Sequence, residues 1–195
     1  MTPTDTAEDR ATGLLVRRAF ERLTGRSGEP VRYALMDGTP VGILGLAAGP
    51  AGLRRLEYVD GEDAFLTRLL AAFPDQPLER SNTLDAVRRE LERYFAGRRF
   101  TFETRVDLSE LTPFQQKVLA ETVKVPAGRY TTYSQLAAKA GRPRAARAAG
   151  NALHDNPVAI IVPCHRVLRG DGTLGGYAGG LPAKEWLLKH EGALL

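Results

Sequence analysis

Residues 132–156 read TYSQLAAKAGRPRAARAAGNALHDN, and the placement of Gly141 and Pro143 in that run decides how the second half of the chain folds. The spacing predicts a short helix over TYSQLAAKAG, ended by Gly141, and a second helix that starts at Pro143. Two short helices joined by a tight glycine-containing turn have the outline of a helix-turn-helix, although an ordinary helical hairpin shares that pattern. The charge of the region is one-sided. From Lys124 to His154 lie Lys124, Arg129, Lys139, Arg142, Arg144 and Arg147, with no Asp or Glu between them. Such a block suits a polyanion such as nucleic acid, while a solvated helix face would carry the same charges.

Working upstream, TPFQQKVLAETVKV has Thr112 as a cap and Pro113 at the first helical position, followed by apolar residues at helical spacing. The first half reads differently. Residues 31–59 are short strands broken at Asp37-Gly38 and Gly49-Pro50, an antiparallel meander. EDAFLTRLLAAF and SNTLDAVRRELERYFAG are two amphipathic helices, RRFTFETRVDL alternates like one more strand, and ATGLLVRRAFERLT is a helix stopped by Gly25. The expected fold class is α+β: a small antiparallel-sheet N-terminal domain over residues 30–108, then a mainly helical domain over 109–195 with a winged-helix-like helix-turn-helix. Residues 1–29 form an extension without an assignment.

Composition narrows the function. The chain has 195 residues, a single cysteine and a formal net charge of +4, which allows a sizeable core and forbids an internal disulfide. The opening MTPTDTAEDR is polar and acidic, unlike a secretory signal, and no apolar run approaches the roughly 20 residues of a membrane span. These features point to a cytoplasmic protein that does not engage a membrane.

The lone cysteine sits in NPVAIIVPCHRVLRG, residues 156–170, directly before His165. A free cysteine is most often a small buried hydrophobe. Here the apolar PVAIIV reads as a buried strand or core segment, so Cys164 falls where a packed element meets a loop. His165 and Arg166 would supply an electropositive surrounding that favours the thiolate. An acid to orient the histidine could come from several positions, Glu185 and Glu191 among them.

PCHRV at 163–167, together with YSQLAAKAGRPRAARAAGNAL, NPVAIIVPCHRV and GYAGGLPAKEWLLKHEG, resembles the O6-alkylguanine-DNA alkyltransferases over about residues 112–192. The resemblance implies a suicidal SN2 transfer of an alkyl group from guanine O6 to Cys164, with His165 as base through a water and Glu191 orienting His165. Asn156 would be the hinge between helix-turn-helix and active site, and Tyr133 would donate to guanine N3. Arg147 would be an arginine finger that fills the stack when the nucleotide is flipped. Ser134, Arg142, Arg144, Ala145, Ala146 and Gly150 would lie against DNA in the minor groove. Leu153, Val167, Tyr177, Ala178 and Gly179 would form the base pocket. Ala178 stands where some relatives carry a hydroxyl residue, leaving O6 to backbone donors. The implied partner is double-stranded DNA bearing O6-alkylguanine, the protein is expected to be a monomer, and no metal or other cofactor is implied. A non-enzymatic lesion binder and a helix-turn-helix regulator are the competing classes; the first would lack the cysteine, and the second would add a further domain.

Overall fold

The computed structural model describes residues 7–25 and 28–193; residues 1–6 of the N-terminal extension, with 26, 27, 194 and 195, lie outside the described residues. The chain separates into two compact units, Met1–Glu92 with Glu103–Asp107, and Arg93–Phe102 with Leu108–Leu195.

The first unit opens with α1 (Ala7–Thr24), followed by β1 (Val31–Thr39), β2 (Gly42–Gly49) and β3 (Gly52–Val59). Helix α2 (Glu62–Ala72), the short β4 (Leu78–Arg80) and α3 (Asp85–Phe95) complete this part of the chain. The sheet order is β3-β2-β1-β4; β1 to β3 are antiparallel as expected, but β4 joins the edge of β1 in parallel. The turn between β1 and β2 falls later than Asp37-Gly38. Gly38 takes a left-handed backbone (φ 70) inside the strand, the register shifts between Met36 and Thr39, and the chain reverses at Pro40-Val41.

One face of the sheet packs Val31, Tyr33 and Ala47 against Phe65, Leu69 and Phe73. Gly45 lies on β2 beneath the Phe65 ring, where an added Cβ would come within 2.8 Å of the ring carbons. The expected strand over 98–108 does not form. Glu90 takes the backbone N–H groups of Glu103 and Thr104 at 3.1–3.2 Å, so that they are not available to a sheet. Only Val106 makes an isolated bridge, to Leu53.

In the second unit α4 (Pro113–Val123) and α5 (Tyr133–Lys139) both carry complete capping boxes, Thr112 with Gln115 and Thr132 with Gln135. Helix α6 (Ala146–His154) starts three residues beyond Pro143. Ala145 N–H donates to Arg142 O at 2.9 Å, so Pro143 sits inside the connecting turn rather than at a helical first position. Helices α4, α5 and α6 pack on one another. Two short strands, β5 (Thr131–Thr132) and β6 (Val167–Leu168), pair in parallel and bring the cysteine segment beside the start of α5. Helix α7 (Gly180–His190) closes the chain. Segment 93–102 belongs with this unit because Tyr94 packs its ring against Phe95, Phe100, Phe102 and His190.

The Phe65 contact gives a stability test. Gly45→Ala keeps an extended backbone but forces the ring or the strand to move, and should cost about 1–3 kcal/mol. Denaturant unfolding of the variant against wild type measures it.

Candidate active site

The segment PVAIIV is a core segment and not a strand. It is a series of turns, closed by Ile161 N–H to Ala159 O (2.8 Å) and Val162 N–H to Val158 O (3.0 Å). Ile160 takes φ 69, the one non-glycine residue with positive φ among those described. A β-branched residue there is strained, and something must hold it. Asn156 does so. Its Oδ1 accepts from Val158 N–H at 3.1 Å, and its Nδ2 donates to Val162 O at 3.0 Å and to Cys164 Sγ at 3.2 Å. Asn156 follows α6 by two residues, so the end of that helix is tied to the thiol through one side chain.

Cys164 opens a 3-10 turn, Cys164–Arg166, and is 8% exposed. His165 and Arg166 turn inward and meet Glu191, the C-cap of α7. His165 Nε2 lies 2.9 Å from Glu191 Oε1, and Arg166 places Nη2 on the same oxygen at 2.9 Å and Nε on Oε2 at 2.8 Å. Glu185, the other acid offered by the sequence, is exposed and pairs with Lys189 at 2.8 Å. Burial alone would raise the Glu191 pKa, but the hydrogen bonds from His165 and Arg166 outweigh it and bring it down to about 2. Burial lowers the His165 pKa, with Glu191 opposing, so the ring is neutral at physiological pH. Nε2–H faces the carboxylate, which leaves Nδ1 as the acceptor. This buried atom has no hydrogen-bond partner among the described residues.

The expectation that His165 and Arg166 draw the thiol toward the thiolate is not met. Both are engaged with Glu191, and burial pushes the Cys164 thiol up. The groups opposing that burial are the Asn156 amide and, by its charge, Lys184. Lys184 is completely buried, donates to Val167 O at 2.7 Å and to Leu174 O, and is held down to about 8 by burial. Sequence reasoning passed over it; its position three and four residues before the buried Leu187 and Leu188, on the apolar face of α7, was the available signal.

Cys164 lines a cavity of about 450 Å³, within the range of small-molecule sites. Of the residues that the sequence reading assigned to base or DNA, Tyr133, Ala146, Arg147, Gly150, Leu153, Tyr177 and Ala178 line this cavity. Val167 is buried and Gly179 caps α7, and neither lines the cavity. Ser134, Arg142 and Arg144 are exposed outside it, with the Arg142 guanidinium 4.7 Å over the Phe114 ring; Ala145 is half-buried. Asn151, His154 and Arg169 line the cavity without having been anticipated there. Asn151 and His154 follow Arg147 by four and seven residues, a helical-face signal that the sequence did carry. Tyr133 is raised by burial first and then by Cys164, with Arg169 opposing. Gly175, left-handed at φ 66, lets the glycine-rich loop approach so closely that a Cβ would stand 2.8 Å from the Tyr133 hydroxyl.

A buried thiol and a phenol share the cavity wall, and a neutral histidine next to the thiol in the chain is hydrogen-bonded to an ionised carboxylate. These are the group types that a cysteine-dependent transferase needs, here carried on a helix-turn-helix. The pattern of the 6-O-methylguanine DNA methyltransferase DNA binding domain matches residues 113–193, and that of the ribonuclease-like domain of the same enzyme matches residues 31–108. The methylated-DNA–protein-cysteine methyltransferase of Salmonella typhimurium is 42% identical over 145 residues, 73% of this chain and 85% of that protein. The Methanosarcina acetivorans protein of the same name is 38% identical over 161 residues, 83% and 98%. The Mycobacterium tuberculosis OGT solved in complex with DNA superposes with a TM-score of 0.72 at 34% identity, covering 84% of this chain and 94% of that one. The chain belongs to the 6-O-methylguanine DNA methyltransferase family.

The Glu191 ion pairs predict an acid-dependent stability. The folded protein keeps this carboxylate ionised down to about pH 2, whereas the ordinary value is 4.5. Its contribution is therefore fully present above about pH 4.5 and lost as pH falls toward 2, on the order of 3 kcal/mol. Thermal unfolding between pH 5 and pH 3 should show a shallower fall for Glu191→Gln than for wild type.

Proposed function

We propose that the chain reverses alkylation damage in duplex DNA directly, moving the alkyl group of O6-alkylguanine onto Cys164 once per molecule. The observation that carries this reading is the Cys164 thiol at the wall of the cavity, with Asn156, Lys184 and the neutral His165–Glu191 pair behind it. The thiol proton passes to His165 Nδ1 through a water. The sulfur attacks the alkyl carbon, an S–C bond forms, and the O6–C bond breaks with its electron pair going to the guanine. Tyr133 gives its phenolic proton to guanine N3, the proton held on His165 returns through water to the phenolate, and exchange with water moves the N3 proton to N1. The products are an S-alkylcysteine and an unmodified guanine. A thioether is not hydrolysed under cellular conditions, so the acceptor is spent.

The base must leave the duplex to reach the thiol, at a cost of about a few kcal/mol. Arg147 lines the mouth of the cavity on α6, flanked by Ala146 and Gly150, whose small side chains permit close approach to a groove. The likeness to an OGT solved with DNA supports this use of the helix. Arg142 and Arg144, exposed on the turn before α6, are suited to phosphates. A lesion binder of this kind would carry no acceptor thiol, whereas Cys164 lines the cavity here. We take the working form to be a monomer.

Two measurements test the reading. After incubation with a duplex containing one O6-methylguanine, the Cys164 peptide should gain one methylene in mass, with at most one equivalent per protein; Cys164→Ser should bind DNA and transfer nothing. Turnover beyond one equivalent would sink the single-use scheme. In single-turnover kinetics at saturating protein, Arg147→Ala should slow repair of the duplex and leave the reaction with free O6-methylguanine near wild type. Full recovery of the duplex rate at high protein concentration would reduce Arg147 to a phosphate contact.

A further inference from the structure

Glu191 carries a donor that neither the histidine nor the arginine explains. Tyr94, in the last turn of α3, is completely buried, and its hydroxyl donates to Glu191 Oε1 at 2.7 Å. This is the same oxygen that faces His165 Nε2 and Arg166 Nη2. The tyrosine is held at both ends. Its ring meets Phe95, Phe100, Phe102 and His190 with centroids 5.4–5.7 Å apart, and its carbonyl accepts from His190 Nε2 at 2.6 Å. A phenylalanine would fill the same aromatic site, so packing accounts for the ring and leaves the hydroxyl unexplained.

We propose that Tyr94 is a positioning residue for alkyl transfer, its hydroxyl fixing the Glu191 carboxylate and through it the orientation and basicity of His165. The inference rests on the reading of Cys164 as alkyl acceptor given above. Oε1 divides its charge among the Tyr94 hydroxyl, the imidazole N–H and the Arg166 guanidinium. Without the phenol, more of that charge faces His165, and the imidazolium becomes easier to form. The other charged groups acting on His165 are Arg166 from the same turn and Lys184 from α7, with the Tyr177 ring edge 6.3 Å away between centroids. Tyr94→Phe changes none of these. A carboxylate with one fewer donor also holds the ring less firmly, so the Nδ1 acceptor is less well aimed.

The test uses the full chain and a duplex with one O6-methylguanine, in single turnover from pH 5 to pH 9. Tyr94→Phe should retain wild-type thermal stability to within a few degrees and wild-type DNA affinity. Its transfer rate should fall roughly tenfold, a fraction of the ~10²–10⁴ that a positioned general base contributes. Because His165 must be neutral to accept a proton and its pKa rises in the variant, the acid limb of the rate profile should move to higher pH. Histidine-selective ¹⁵N NMR of the resting protein reads the same shift without substrate. In a Glu191→Gln background, adding Tyr94→Phe should slow transfer no further. The proposal is overturned by an unmoved acid limb, or by equal slowing in the wild-type and Glu191→Gln backgrounds, which would make the tyrosine a packing residue. Were wild type itself to leave Cys164 unalkylated, the reading of the site would fall and this inference with it. Transfer by wild type and an unchanged Tyr94→Phe would remove the inference alone.

Discussion

The Glu191 carboxylate is the constraint around which the second unit is arranged. It caps the C-terminus of α7, where the helix dipole disfavours a negative charge, and it is buried, which disfavours that charge again. Four hydrogen bonds from Tyr94, His165 and Arg166 hold it ionised nonetheless. Through them one side chain joins the last turn of α3, the turn that carries Cys164 and the end of α7. Arg166 extends the junction, donating to Val125 O at 2.5 Å just beyond α4. Removing the carboxylate would leave a buried guanidinium without its counter-ion, an outcome that usually costs more than the pair contributes.

The second fixed point is Asn156. Its three hydrogen bonds span residues 156–164 and hold Ile160 in a backbone conformation that costs about 1–3 kcal/mol when unsupported. The strain places the thiol against an amide donor and keeps the end of α6 in register with it. A displacement of the end of α6 would therefore be felt at sulfur through one side chain.

Much of this was legible in the chain itself. The cap at Thr112, the glycine stop at Gly141 and the Cys-His pair all act locally, and local chemistry survives folding. What the sequence hid depends on partners distant along the chain. RRFTFETRVDL alternates like a strand, yet Glu90 takes the N–H groups that a sheet would need. Pro143 suits a helix start, but Arg142 and Ala145 close a turn around it. His165 and Arg166 read as a positive field for the thiol; Glu191, 25 residues beyond Arg166, claims both. Tyr94 is 97 residues from its acceptor, and no spacing rule reaches that far.

The raised pKa of Cys164 looks at first like a poor choice for a nucleophile, since the thiolate is the reactive form. For a protein proposed to react once, it is the safer one. Any encounter of a standing thiolate with an oxidant or a stray electrophile would consume the molecule. Burial to 8% exposure keeps the sulfur protonated and shielded. His165 is likewise neutral and enclosed, and the carboxylate behind it has its charge spread over four donors. Under the proposed function, activation then waits for a nucleobase in the cavity whose walls carry both Cys164 and Tyr133. Nucleophilicity and selectivity are thus set by the same burial, and neither can be raised by exposing the thiol without lowering the other.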